Sequence, residues 1–123
     1  MLRQPSGAKV VSNTTVATTT VSLALAATTN VTNFVQGFTV TSDLHSAAAG
    51  AAITVTLTGL AGSTLGMNWV VKLSSTEPIN LSQEFVSPLP ASAAETAITL
   101  AVPGTTSTGN IAANIWGYQM KTF

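Results

Sequence analysis

The chain contains no cysteine, a single histidine and very few charged residues. Asp, Glu, Lys and Arg together make up only 7% of its 123 residues. Without cysteine the chain forms neither a disulfide framework nor a cysteine-based zinc site. Charged residues usually make up about a quarter of a soluble domain. The surface of this protein is therefore unusually poor in charge.

The small number of basic residues argues against binding to nucleic acid. Four basic residues balance four acidic ones, so the formal net charge is zero. The basic residues are scattered along the chain, whereas binding to phosphates needs clustered Lys or Arg. We therefore expect no nucleic-acid partner. Net charge keeps solvated monomers apart, so a neutral chain is suited to packing within an assembly.

The sequence also lacks long apolar runs. It contains no stretch of about 18 apolar residues, which a membrane-spanning helix requires, so we expect no contact with membranes. Residues 21–27 are the part most similar to a signal peptide, but Ser22 and the threonines before it interrupt the apolar segment. Val21, Leu23 and Leu25 alternate with small residues, which is typical of a β-strand instead.

Catalytic residue types are scarce. His45 is the only histidine, and Asp43 and Ser46 are its neighbours on a predicted loop. A nucleophile needs a base within hydrogen-bond reach, and residues this close on one loop rarely form a triad. A stable metal site needs three or four ligands, which Asp43 and His45 do not supply. We therefore predict no enzymatic activity, no metal and no cofactor. The remaining acidic residues are isolated from one another: Glu77, Glu84 and Glu95.

What the sequence does contain is a repeated alternation of apolar and hydroxyl residues. In Ala52–Leu60, three aliphatic residues alternate with Thr54, Thr56 and Thr58. Because strand side chains alternate between two faces, this pattern predicts a half-buried strand with a row of threonines facing outwards. Similar segments predict about eight strands in an antiparallel β-sandwich, jelly-roll-like or immunoglobulin-like. The other segments are Val16–Ala27 (one or two strands), Val31–Ser42, Leu65–Leu73, Leu81–Ser87, Thr96–Val102 and Ile111–Met120.

Two of these strands carry three of the seven aromatic residues. In Val31–Ser42, simple alternation places Phe34, Phe38 and Val40 on one face, and Gly37 indicates a bulge or a close approach of another chain segment. In Leu65–Leu73, burial of the largest apolar side chains predicts that Trp69, Val71 and Leu73 face the core.

The C-terminal strand presents Trp116 and Tyr118 on the face opposite Ile111 and Ile115. Three interpretations are open. The two aromatic residues form a platform on which a sugar stacks, they anchor an interface, where Trp and Tyr are enriched, or they belong to the core because the strand is displaced by one residue.

The first residues have a different composition. Pro5 and Gly7 discourage regular structure, and two of the four basic residues lie here. We predict an extended N-terminal arm over residues 1–13, followed by a single sandwich domain over residues 14–123. An arm that crosses to a neighbouring subunit makes the following residues interface candidates: Leu2, Arg3, Pro5, Lys9, Val10 and Val11.

Three segments carry a resemblance to a known family: Thr32-Asn-Phe-Val-Gln-Gly-Phe-Thr-Val-Thr41, Pro88-Leu-Pro-Ala-Ser-Ala-Ala-Glu-Thr-Ala-Ile-Thr-Leu100 and Asn110-Ile-Ala-Ala-Asn-Ile-Trp-Gly-Tyr118. They resemble the small β-sandwich virion proteins of tailed bacteriophages, which decorate or cement the head. The resemblance covers roughly residues 32–118 and rests on turns and strands. It supplies no catalytic residue.

The resemblance implies a head decoration protein that binds the major capsid protein on the outer surface of the virion. It implies contacts between copies of the chain, for which we expect a trimer, and residence in the host cytoplasm during assembly. The alternative is a fibre, tail or adhesin-like module that binds a host-surface glycan through Trp116 and Tyr118.

Overall fold

Eight β-strands make up the regular structure of the part of the chain that the computed structural model describes. This part comprises residues 9–16, 19–43, 52–62, 66–74, 76–104 and 109–121, with only the backbone given for Lys9 and Val16. Within it, no helix is long and apolar enough to cross a membrane. The strands are β1 (Lys9–Val16), β2 (Val21–Leu25), β3 (Val31–Ser42), β4 (Ala52–Thr58), β5 (Met67–Lys72), β6 (Asn80–Pro90), β7 (Ile98–Val102) and β8 (Asn110–Lys121).

The strands form two four-stranded sheets, with the orders β1-β8-β3-β6 and β2-β7-β4-β5. All neighbouring strands are antiparallel. The pairing is nested: β4 pairs with β5, and the pairs β3 with β6, β2 with β7 and β1 with β8 enclose it in turn. This is the strand order of a jelly roll. The predicted antiparallel sandwich of about eight strands is confirmed, and its topology is the jelly roll rather than the immunoglobulin order.

The core lies between the two sheets and is centred on Phe38 of β3. The Phe38 ring meets the indole of Trp69 edge to face, with ring centroids 4.8 Å apart, and Phe85 of β6 lies 6.5 Å away. Leu73 is buried and Val71 packs against the core, as the alternation predicts. Burial of each large apolar side chain stabilises the fold by about 1.5–3 kcal/mol. The aromatic cluster therefore holds β3, β5 and β6 together.

A bulge in β3 changes which face its residues occupy. On β8, Gly117 lies opposite Val35 and the next residue, Trp116, lies opposite Gly37, so Gln36 is an extra residue on β3. An extra residue reverses the alternation of side chains. Val35 and Phe38 therefore both face the core, while Phe34 lies on the outer face. The prediction of a bulge near Gly37 is confirmed, but the prediction that Phe34 shares a face with Phe38 is wrong.

The predicted boundary of the N-terminal arm is also wrong. Residues 9–16 form β1 and pair with β8 along their whole length, from Lys9 opposite Gly117 to Val16 opposite Asn110. Val11 packs against the core. The β-branched and hydroxyl residues that follow Lys9 favour a strand. The tendency of Pro5 and Gly7 to discourage regular structure therefore does not extend to them. Residues 1–8 lie outside the described residues, and the arm remains a prediction for them alone.

Two buried amides connect the sheets at one end of the sandwich. Asn33 of β3 is completely buried, and its Nδ2 donates to the carbonyl oxygens of Leu25, Ala26 and Thr96 at 2.9–3.1 Å. Its Oδ1 accepts a hydrogen bond of 2.9 Å from Nε2 of Gln119 on β8. These bonds join β3 and β8 to the end of β2 and to the segment before β7, which belong to the other sheet. Every buried side-chain nitrogen and oxygen of the described residues has a partner.

We predict that N33A destabilises the protein by about 2–4 kcal/mol, because it removes the hydrogen bonds that the buried amide makes to three carbonyl groups and to Gln119. Gln119 Nε2 then keeps only its contacts with Thr28 and Ala26, at 3.2 and 3.4 Å. Urea denaturation followed by circular dichroism measures the change. The matched control is N68A on β5, whose side chain is exposed and accepts one hydrogen bond from Thr56; its expected effect is below about 0.5 kcal/mol. Equal effects for the two variants would contradict a structural role for the buried amide.

A candidate binding face on the outer side of the first sheet

Strand β8 presents its aromatic residues on the outer side of the β1-β8-β3-β6 sheet. Ile111, Ile115 and the alternate residues between and beyond them are buried, whereas Trp116 and Tyr118 are half-buried on the opposite face. The predicted alternation of β8 is confirmed. The interpretation that the two aromatic residues belong to the core between the sheets is therefore wrong.

Tyr118 stacks on Phe34 of the neighbouring strand. Their ring centroids are 5.1 Å apart and the ring planes differ by 11°. The residues lie directly opposite each other, and Pro90 of β6 lies opposite Phe34 on its other side. Because strands are about 4.7–4.9 Å apart, rings stacked at this spacing stand upright on the sheet. Their edges point outwards, while their faces cover each other.

Trp116 lies across a gap in the side chains of β3. Gly37 is opposite it, and a Cβ atom placed on Gly37 would lie 2.6 Å from Cζ2 of the indole and 2.7 Å from the carbonyl oxygen of Gln83. Only glycine leaves room for this close approach. The indole therefore rests on the backbone of β3, on the same face as the stacked rings. Val10 of β1 lies opposite Trp116 on the other side.

A row of polar side chains borders these residues. Ser12 Oγ donates to Asn114 Oδ1 at 2.6 Å, and Asn114 Nδ2 donates to Thr39 Oγ1 at 3.0 Å. The row crosses β1, β8 and β3, and its member on β8, Asn114, lies two residues before Trp116. Because these groups bond to one another, the row fixes the strands and marks the edge of the apolar area.

Together these residues form a contiguous surface that we call the aromatic face. Val10 and Met120 are exposed members, with 71% and 50% of their surface accessible to solvent, and Pro90 is exposed as well. The carboxylate of Glu84, which lies opposite Gly37 on β6, borders the aromatic face. The aromatic face consists of Val10, Phe34, Pro90, Trp116, Tyr118 and Met120.

The outer side of the second sheet is different in kind. As the alternation predicts, Thr54, Thr56 and Thr58 point away from the core, and Thr56 donates to Asn68 Oδ1 at 3.0 Å. Across the sheet, Ser22 of β2 and Ala101 of β7 are in line with Thr56. Small and hydroxyl side chains cover most of this face, and Val70 of β5, opposite Thr54, is an exposed apolar exception. The large apolar side chains of the outer surface are thus concentrated on the first sheet.

The other interface candidates are distributed unevenly. Of the arm residues, Val10 joins the aromatic face, whereas Val11 faces the core and is withdrawn as an interface residue. The backbone of Lys9 belongs to β1. The remaining candidates lie outside the described residues: Leu2, Arg3 and Pro5.

Three members of the aromatic face were not anticipated from the sequence: Phe34, Pro90 and Met120. Phe34 is turned outwards by the bulge, and Pro90 is brought beside it by the register of β6. Met120 simply continues the alternation of Trp116 and Tyr118, so that alternation was a usable signal for it.

The described residues offer contact surfaces rather than reactive groups. No three of their His, Asp or Glu side chains come close enough to hold a metal ion, and His45 lies outside them. Asp43 takes part in a structural hydrogen bond: its Oδ1 accepts from the backbone N–H of Asn110 at 2.7 Å. That the protein is not an enzyme remains a prediction. Compared with known protein families, curated proteins and solved structures, the chain shows no significant match to any of them.

We predict that G37A displaces the indole of Trp116 and destabilises the protein by about 1–3 kcal/mol, the usual cost of overpacking. In a W69F background, the fluorescence of the single remaining tryptophan reports the displacement as a shift of its emission maximum. The control is a double-mutant cycle with W116A: once the indole is absent, only the contact with the Gln83 carbonyl remains, so G37A costs less. An unchanged cost in the W116A background would show that the indole does not rest on Gly37.

Proposed function

We propose that this protein is a structural virion protein of a tailed bacteriophage that decorates the head by binding the major capsid protein on the outer capsid surface. Three observations support the proposal. The sequence segments quoted above resemble such proteins, the jelly roll is an architecture that viral capsid proteins use, and the chain is neutral. The observation that carries it is the aromatic face, a rigid apolar surface on the outside of the fold.

The chemistry of the aromatic face suits contact with another protein. Trp and Tyr dominate the binding energy of many interfaces. These side chains are already ordered in the free protein, because Tyr118 stacks on Phe34 and the Trp116 indole packs against Gly37. Binding then costs little additional side-chain entropy. A surface made of aromatic and other apolar side chains also loses little charge solvation when it is covered.

The same surface and the low charge favour contacts between copies of the chain. We propose a trimer, assembled in the host cytoplasm and then bound to the virion. Because many copies bind one particle, contacts that are individually weak combine into stable attachment. No catalytic step, metal or cofactor is part of this function.

We predict that W116A reduces binding to capsids by at least tenfold, which corresponds to about 1.4 kcal/mol, because the indole is the largest side chain of the aromatic face. Co-sedimentation of the purified protein with capsids that lack it measures the bound fraction. V10K is a second variant on the same face; it changes an exposed side chain and leaves the fold intact. T56A on the outer side of the second sheet is the matched control and binds like the wild type.

Circular dichroism and thermal unfolding verify that each variant is folded. Full binding by both W116A and V10K would rule out the aromatic face as the capsid contact. Loss of binding in T56A to the same extent would show that the effect is not confined to that face.

The second candidate function is binding of a host-surface glycan by a fibre, tail or adhesin-like protein. The position of Trp116 favours it, because the half-buried indole lies over Gly37 on the outer side of the sheet, where a sugar can contact it, and jelly rolls also occur in lectins. A glycan array tests this candidate. A specific signal that disappears in W116A and persists in T56A would support it and would displace capsid decoration as the leading proposal.

A further inference from the structure

The four edge strands of the sandwich are not equally protected. Strands β1 and β6 are the edges of the first sheet, and β2 and β5 those of the second. An edge strand exposes backbone N–H and C=O groups on which another strand can pair. On one side of the sandwich, β1 and β2 lie against each other. On the other, a cleft of about 460 Å³ separates β5 from the beginning of β6.

Strand β6 carries several features that prevent pairing. Glu84 lies opposite Gly37 and Leu89 opposite Val35, so residues 85–88 face the single residue Gln36 and bulge away from β3. Pro88 and Pro90 have no backbone N–H to donate. Val86 in the bulge is fully exposed. Bulges, prolines and charges are the means by which proteins block an edge.

Strand β5 has none of these features. It pairs with β4 in an unbroken register, from Met67 opposite Leu57 to Lys72 opposite Ala52. It contains no proline, and its one charged residue is at its end. Val70, in its middle, is 76% exposed. Within the described part of the chain, no strand pairs with its other side.

We propose that β5 pairs with β5 of a second copy of this chain, antiparallel about a two-fold axis at Val70. The two β2-β7-β4-β5 sheets then form one continuous sheet of eight strands. Symmetric strand addition of this kind uses the open backbone groups of both copies. It also extends the sheet beside the open cleft between β5 and β6.

The side chains of β5 select this register. Backbone groups and side chains both alternate along a strand, so a two-fold axis must pass through a residue of β5. With the axis at Val70, the two exposed valines face each other, Trp69 faces Val71 of the second copy, and Lys72 faces the neutral Asn68. An axis at Trp69 or Val71 would place the exposed Val70 opposite Asn68 or Lys72. Only the Val70 register places the exposed Val70 opposite an apolar side chain, and it also keeps the two lysines apart.

This contact is independent of the proposed function, because β5 and the aromatic face belong to different sheets. Six residues from each copy make a smaller interface than the roughly 1,200 Å² of a stable complex. We therefore expect a weak dimer in dilute solution. An array of copies on a common surface strengthens it by raising the local concentration.

Cysteine cross-linking tests the register directly, because the chain has no cysteine of its own. Residues directly opposite in an antiparallel pair have Cα atoms about 4.5–5.5 Å apart, within the range of about 4.4–6.8 Å that a disulfide spans. We expect V70C to form a disulfide-linked dimer under mild oxidation at least tenfold faster than V86C. V86C is the matched control, since its side chain is even more exposed but lies on the blocked edge of β6.

Sedimentation at concentrations up to about 1 mM, where a contact of millimolar affinity is populated, supplies the second measurement. Both proteins carry W116A, which weakens the contacts between copies that the aromatic face is proposed to make. W116A is then expected to show dimers and W116A/V70K only monomers, with unchanged circular dichroism. Cross-linking of V70C must persist in a W116A background, which separates this contact from the aromatic face. Equal oxidation rates for V70C and V86C, or a W116A protein that stays monomeric throughout, would overturn the proposal.

Discussion

The bulge at Gln36 is the constraint on which the rest of the molecule depends. Before it, Phe34 points outwards and stacks on Tyr118; after it, Phe38 points inwards and meets Trp69. One extra residue therefore lets a single strand supply an aromatic residue to the outer surface and another to the core. Gly37 completes the arrangement, because it has no side chain and the Trp116 indole occupies the space that a side chain would fill.

The two sheets of the molecule are suited to different kinds of contact. The first sheet gathers large apolar side chains on its outer side and blocks its edge strand β6 with a bulge and prolines. The second sheet covers most of its outer side with small and hydroxyl residues, leaves Val70 exposed there, and keeps β5 regular at its edge. A copy of this protein thus has one sheet suited to face contacts and another suited to edge contacts. With very little charge to oppose close approach, both kinds of contact are compatible with a crowded surface.

Much of the fold is predictable from the sequence because alternation is a local property. The threonine row of β4, the core residues of β5 and the outward position of Trp116 all follow from it. Simple alternation places Phe34 on the wrong face, because the bulge reverses the alternation and Gly37 is the only local sign of the bulge. The sequence does not reveal β1, because Pro5 and Gly7 lie close to it and indicate irregular structure. The nested pairing, the buried Asn33 and the difference between β5 and β6 depend on contacts between distant segments, which periodicity does not encode.

The central claim is that the protein acts through its outer sheet surfaces in contact with neighbouring proteins. Electron cryomicroscopy of particles that carry the protein, at a resolution that separates strands, tests this most directly. The account predicts that density from a neighbouring protein covers Trp116 and Tyr118 on the β1-β8-β3-β6 sheet. Particles in which that sheet faces solvent, while the chain attaches through some other surface, would contradict it.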